Sequence, residues 1–459
     1  MESGAGRETS EPSRAITGWT VGLICAAIVA CGVIVSGLLH KPEPELTTQP
    51  VPVSTTPARP KATSSYVTPP VVFPVRIPGC DVVEPPGDGK TQGYVTSDKF
   101  GYDNPAFPWF SGPKAVAMSQ ALRAGLPDGV DIGFAPVRRS LFFQPIFDPT
   151  SESGEHLDAG GWTMADATLL RGGKSGDLMV SVRQSAAPIP PCVAGNLDER
   201  RHLADGTTVD VHDTWFEVDK VRTLNRTANA YLTDGTTVTT SAFDVGQDSG
   251  SHSGTVPLTV DELAALATAP GLSVTAAVPP GTPDVPESCG LGFDFGSGTG
   301  GKVDESVAHR LEAVLARIPL DGLTLDRPLG YLRPVSSRGG GLCQIVRITT
   351  PGKQSSLRIK ITTGQSLPSE APATIDSDGN RTTLRRLPDG TAVESRESRF
   401  STTSNRPGAQ PVPNIEHTVT VTRPTGSRVE IGSTAERPTE PLSFEQLESI
   451  ALTPGLEVS

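Results

Sequence analysis

The chain writes one stretch twice. Pro257-Leu258-Thr259-Val260-Asp261-Glu262-Leu263-Ala264-Ala265-Leu266-Ala267-Thr268-Ala269-Pro270-Gly271-Leu272 returns as Pro441-Leu442-Ser443-Phe444-Glu445-Gln446-Leu447-Glu448-Ser449-Ile450-Ala451-Leu452-Thr453-Pro454-Gly455-Leu456. Each copy reads as a short helix. Thr259 and Ser443 stand at the N-cap, and Glu262 and Gln446 three residues on complete a capping box, while Pro-Gly stops both helices. Leu263, Leu266 and Ala267, like Leu447, Ile450 and Ala451, fall at i, i+3 and i+4, so each helix has one apolar face to bury. Two such faces call for two cores.

The elements ahead of these helices follow one order. A helix is expected at Lys114 to Ala124 and again at Glu305 to Ile318; strand-like runs follow at Leu178 to Val182 and Leu357 to Ile361. Two hairpins then come in each half. Asp205-Gly206-Thr207 and Asp234-Gly235-Thr236 mark them in the first, Asp389-Gly390-Thr391 and Thr425-Gly426-Ser427 in the second. The expected fold class is α+β: two tandem repeats, 80–278 and 283–459, each an antiparallel sheet with an early helix and a closing C-terminal helix. No βαβ alternation supports a doubly wound nucleotide-binding fold.

Ahead of the repeats, residues 15–40 read as a transmembrane helix. No formal charge lies between Arg14 and Lys41, and Ile16 to Leu39 is long enough to span about 30 Å of hydrocarbon. Residues 1–14 are then a cytoplasmic tail, and the C-terminal region is exported. Ile28-Val29-Ala30-Cys31 offers the alternative of a lipoprotein anchored at Cys31, but Gly32 to Leu39 stays apolar beyond the cysteine. Gly18, Gly22, Ala26 and Ala30 recur every fourth residue, a small-residue stripe that suits a homodimer of membrane helices. Residues 41–79, with ten prolines among Thr, Val and Ser, read as a disordered stalk that reaches on the order of 100 Å when extended as polyproline.

Composition narrows function mainly by exclusion. A formal net charge of -12 and the lack of a basic face argue against nucleic acid. The seven histidines are scattered outside any metal-ligand spacing, so no metal and no cofactor is expected. Gly296-Ser297-Gly298-Thr299-Gly300-Gly301-Lys302 nearly matches a phosphate-binding loop, yet Val303 stands where the motif needs a hydroxyl for magnesium. Gly250-Ser251-His252-Ser253-Gly254 places histidine at the centre of what would otherwise be a nucleophile elbow.

Four cysteines fall in the repeats. Cys80 and Cys192 lie in the first, Cys289 and Cys343 in the second, and an even number in an exported region reads as disulfides within each repeat. Cys343, preceded by Gly339-Gly340-Gly341-Leu342 and followed by Arg347, also resembles the Cys/Arg motif of cysteine transpeptidases that crosslink cell walls. The Ser-His-Gly expected before that cysteine is missing. The tryptophans outside the apolar segment, Trp109, Trp162 and Trp215, all lie in the first repeat. Trp109, Phe110 and Trp162 are therefore the candidate recognition aromatics, against the plainer reading of a larger aromatic core.

The closing helix preceded by an Asp-Gly hairpin resembles segments of uncharacterised membrane-anchored and secreted proteins of high-GC Gram-positive (actinobacterial) bacteria, over about forty residues of each repeat. The abundance of Ala, Gly, Pro, Thr and Arg agrees with such a genome. The resemblance implies a location and an architecture, with no activity attached. The expectation is a single-pass membrane protein, not an enzyme, with an extracytoplasmic module that binds an envelope protein or glycan; the alternative is a wall-modifying enzyme centred on Cys343.

Overall fold

In the computed structural model the chain divides into two units, Met1–Thr63 and Ser64–Ser459. The described residues all belong to the second: 65–87, 102–148, 161–246, 250–287, 289, 303–320, 322–336, 339–350, 353–369, 374–375, 379–402 and 410–458. The expected membrane helix at 15–40, its stripe Gly18, Gly22, Ala26 and Ala30, the alternative anchor Cys31, the phosphate-loop look-alike at 296–302 and most of the expected stalk lie outside them. Among the described residues no helix is long and apolar enough to cross a membrane. The single-pass membrane assignment is corrected to that extent: no described helix supplies a span, and residues 15–40, on which it rested, lie outside the described residues.

The fold itself is mostly β. The first sheet collects β1 (Tyr66–Val67), β3 (Asp131–Ile132), β4 (Trp162–Arg171), β5 (Lys174–Gln184), β7 (Glu199–His202), β8 (Thr208–Val218), β9 (Val221–Tyr231) and β10 (Thr236–Phe243). Their order is β1-β8-β9-β10-β5-β4-β3, with β7 also paired to β8. A small parallel pair, β2 (Val83–Glu84) and β6 (Cys192–Val193), sits apart. The second sheet holds β11 (Arg333–Ser336), β12 (Gly339–Thr350), β13 (Lys353–Thr362), β14 (Thr374–Ile375), β15 (Arg381–Arg386), β16 (Ala392–Thr402), β17 (Val412–Thr422) and β18 (Arg428–Glu436), in the order β11-β12-β13-β18-β17-β16-β15-β14.

The α+β class and its twice-repeated helix-and-sheet plan are therefore corrected. Four α-helices are described, α1 (Gly112–Ala124), α2 (Val260–Ala267), α3 (Glu305–Leu315) and α4 (Phe444–Ala451), and none exceeds 13 residues. The closing helices approach the strands most closely, α2 at β8, β9 and β10 and α4 at β17 and β18, while α1 lies against the 3-10 turn Pro270–Leu272 and buries Ala115, Met118 and Leu122 in the first core. Long antiparallel strands dominate both halves, and four short helices are too few to make the helix-and-sheet plan that was expected. What corresponds between the halves is strand order: β8-β9-β10-β5-β4 with β7 on one side, and β16-β17-β18-β13-β12 with β15 on the other.

The local chemistry of the twice-written stretch explains its shape. Thr259 accepts from the Glu262 N–H at 3.2 Å, and the Glu262 carboxylate accepts from the Thr259 N–H at 2.8 Å; Ser443 and Gln446 repeat the exchange at 3.3 and 3.0 Å. Leu263, Leu266 and Ala267 are buried in one core, Leu447, Ile450 and Ala451 in the other. Two disulfides, Cys80–Cys192 and Cys289–Cys343, each join Cα atoms 6.2 Å apart. The first ties down the segment before residue 87, where Ile77 is buried against Cys192 and Leu197. Residues 65–79, read from sequence as the end of the stalk, are thus held against the first sheet.

Candidate functional site

A concavity opens where β4 turns into β5. Gly172 and Gly173 both take positive φ, +57° and +76°, which makes a two-residue turn of the kind that sets the flanking residues directly opposite each other. Arg171 and Lys174 are that pair. Arg226 of β9 and the loop Thr255-Val256-Pro257-Leu258-Thr259 complete a cavity of about 280 Å³, with Ser175 beside Lys174. Gly176 is required by close approach: a Cβ there would stand 2.2 Å from the Phe243 carbonyl oxygen and 2.7 Å from Pro257 Cδ.

Each cation is fixed by a different partner. Arg171 donates to both oxygens of Glu262, at 2.8 and 2.9 Å, and to the Pro257 carbonyl at 2.9 Å. The hydrogen bond from Arg171 holds the Glu262 carboxyl below its ordinary range, and the same bond raises the guanidinium. Arg226 donates to Asp213 at 2.8 Å and to the Leu258 carbonyl at 3.1 Å. Lys174 donates to the Thr255 hydroxyl at 2.6 Å, so its partner is neutral. Three cations and several hydroxyls thus border one opening, and the two carboxylates paired with Arg171 and Arg226 leave a positive balance. Such an arrangement can receive an anionic group and hydrogen-bond the hydroxyls attached to it.

The residues singled out from sequence go elsewhere. Phe110 is a core residue, 2% exposed, with its ring 5.3 Å from the half-buried Trp109 and 6.0 Å from Tyr102. Trp162 is half-buried with its ring 4.6 Å from Phe147. Phe110 thus belongs to the first core, Trp109 packs against that core, and Trp162 packs against Phe147. Trp215 lies beneath the Arg222 guanidinium at 3.8 Å. Cys343 is bonded to Cys289 and so offers no thiolate. Arg347, its companion in the transpeptidase-like motif, is held by Asp284 at 2.7 Å and Glu287 at 2.9 Å. The cavity beside this disulfide measures about 20 Å³, room for roughly one water.

One pair escaped the sequence reading. His252 Nδ1 lies 3.3 Å from Oδ1 of the buried Asp244, and the Asp244 carboxylate also accepts from the Leu224 N–H at 2.9 Å. The neighbouring Ser253 hydroxyl points away from any relay, donating to the carbonyls of Asp244 and Thr255. Only the spacing of Asp and His around a glycine-rich loop could have signalled the pair. Among the described residues no group of three or more His, Cys, Asp or Glu is placed to hold a metal ion.

The class these features define is a mostly-β, disulfide-bonded chain with a cationic cavity on its first sheet. No family model matches the sequence, and no curated protein does. One solved structure, described as "Crystal structure of the di-domain ARO/CYC StfQ from the steffimycin biosynthetic pathway", aligns over 70% of this chain and 81% of its own at 10% identity. Its TM-score of 0.12 is too low to carry an argument about fold or function.

Proposed function

We propose that this chain is a binding module of an oxidising, extracytoplasmic compartment, and that it takes an anionic, hydroxyl-bearing group of an envelope glycan in the cavity on its first sheet. The observation that carries this is the convergence of Arg171, Lys174 and Arg226 on one opening. The two disulfides fit the compartment. The alternative of a wall-modifying enzyme rested on Cys343 as nucleophile, and a cysteine closed in a disulfide supplies none.

Titration of the full chain with a uronic-acid oligosaccharide, followed by calorimetry, tests the proposal. Binding is expected to weaken with added salt and to fall about tenfold in Lys174→Ala. Equal binding of a neutral oligosaccharide, or indifference to Lys174→Ala, would overturn it.

A further inference from the structure

β8 and β16 occupy corresponding places in the two sheets, and their sequences can be put in register. Each strand is 11 residues long and starts immediately after an Asp-Gly-Thr turn. The turns are built alike. Thr207 N–H donates to Asp205 Oδ1 and Thr391 N–H to Asp389 Oδ1, both at 2.9 Å; Leu203 N–H reaches the Thr207 carbonyl at 2.9 Å, and Leu387 N–H the Thr391 carbonyl at 2.8 Å. Counting from the turns, Phe216 is the ninth residue of β8 and Phe400 the ninth residue of β16.

What differs is the outer edge. Beyond β7, the edge of β8 is taken by β1, with Tyr66 opposite Val218 and Val67 opposite Glu217. Tyr66 reaches diagonally to Phe216, ring centroids 6.1 Å apart and planes 25° from parallel. Ser65 and Asp219 close the end of the ladder with two hydrogen bonds, at 2.9 and 3.0 Å. On β16, β15 pairs only as far as Glu397. The Arg399 N–H, which faces the same edge, is met by Asn380 Oδ1 at 3.1 Å. Two residues on, the Ser401 N–H must face that edge too, since groups alternate along a strand. No described residue pairs with the edge there, and Phe400 is 41% exposed.

We infer that the edge of β16 from Phe400 to Thr402 is a strand-acceptor site, and that its occupant is the Ser65–Val67 segment of a second copy of this chain. The occupant is argued from the molecule itself: the corresponding edge of β8 already binds this segment through backbone pairing and one aromatic stack. The hold at home is slight. β1 has two residues, with Tyr66 67% and Val67 47% exposed, so transfer to another copy exchanges few contacts. In the new setting Val67 lies opposite Ser401 and Tyr66 opposite Thr402, with the Tyr66 ring reaching Phe400 as it reaches Phe216 at home. A contact between unlike surfaces of two copies is head-to-tail.

Disulfide trapping tests this on the full chain. A Val67→Cys chain mixed with a differently tagged Ser401→Cys chain should form a mixed crosslinked dimer under mild oxidation. Val67→Cys combined with Glu217→Cys in one chain is the control for the home position, because those residues are directly opposite. Adding Phe400→Ala to the acceptor chain should reduce the mixed crosslink about tenfold, the loss of one aromatic pair; Phe400 is exposed enough for that chain to fold. Failure of the mixed crosslink while the control forms would overturn the inference. So would a mixed crosslink indifferent to Phe400→Ala. Capture of a synthetic Ser65–Thr68 peptide by a chain that shows no mixed crosslink would overturn the second copy as occupant.

Discussion

Phe134, in the loop after β3, lies 5.5 Å beneath the Arg333 guanidinium of β11 and packs against the core of the second sheet. A residue from the first half thus completes a core belonging to the second. Val285, whose neighbours Asp284 and Glu287 are held by Arg327 and Arg347, packs in turn against the first core.

The two halves are therefore expected to unfold together. Phe134→Ala should remove about 2 kcal/mol, less than a fully buried phenylalanine because the ring is half-exposed. Calorimetry should show one transition for the parent and two, or one visibly broadened, for the variant. An unchanged single transition would show that Phe134 does not couple the halves.

The disulfides close loops of different length. With a sequence separation of 112 residues for Cys80–Cys192 and 54 for Cys289–Cys343, loop entropy predicts losses of about 4.8 and about 4.2 kcal/mol when each pair is replaced by serine. Denaturant titration of Cys80→Ser/Cys192→Ser and Cys289→Ser/Cys343→Ser chains checks both figures. The first pair should also free the segment before residue 87 to proteolysis, since Ile77 packs on Cys192.

Gly176→Ala should destabilise the first sheet by about 1–3 kcal/mol, because the added methyl meets the Phe243 carbonyl, which is backbone and cannot step aside. The same methyl presses on Pro257, which lines the cationic cavity. Thermal melting measures the first effect and oligosaccharide titration the second. A melting temperature equal to the parent's would mean that the β5 to β10 spacing relaxes at no cost.

How legible the molecule was depends on where the deciding information lies. The α2 and α4 caps were readable because a capping box is local: Thr259 and Glu262 suffice to write it. The hairpins at Asp205-Gly206 and Asp389-Gly390 were readable for the same reason. The class was not, because the layer relation of α1 to the sheet is tertiary and its sequence pattern says only that it has an apolar face. Edge strands such as β1 and β3 have two residues each, too few for any periodicity, and form only because β8 and β4 offer an edge. Aromatic content does not distinguish display from packing either: Phe110, read as a candidate recognition residue, is 2% exposed. The cavity cations were invisible as a set, as Arg171 and Arg226 lie 55 positions apart and meet only across β4, β9 and the loop before α2.

The last prediction concerns a buried lysine. Lys114 of α1 is 3% exposed and donates to the Ser273 carbonyl at 2.8 Å and to the Ala276 carbonyl. Burial lowers its pKa, and the nearby Asp234 carboxylate opposes that shift without cancelling it. Burial also pushes the Asp234 carboxyl up, but hydrogen bonds from Ser273, Thr275 and Thr236 outweigh it and hold the group well below the ordinary carboxylate range. The signs then separate. Asp234 contributes stability above the unfolded carboxylate pKa, and that contribution fades only as the pH falls through the depressed folded value. Lys114 works the other way: between its lowered folded pKa and the ordinary lysine value, the unfolded chain binds the extra proton, so stability rises with pH through that alkaline window and levels off above it. Lys114→Met should flatten the alkaline rise while leaving the acid limb in place. It should also cost about 1–3 kcal/mol near neutrality, from two carbonyls left without their donor. Stability measured by denaturant titration across the alkaline range checks both statements, and an alkaline rise that survives in Lys114→Met would assign it to another group.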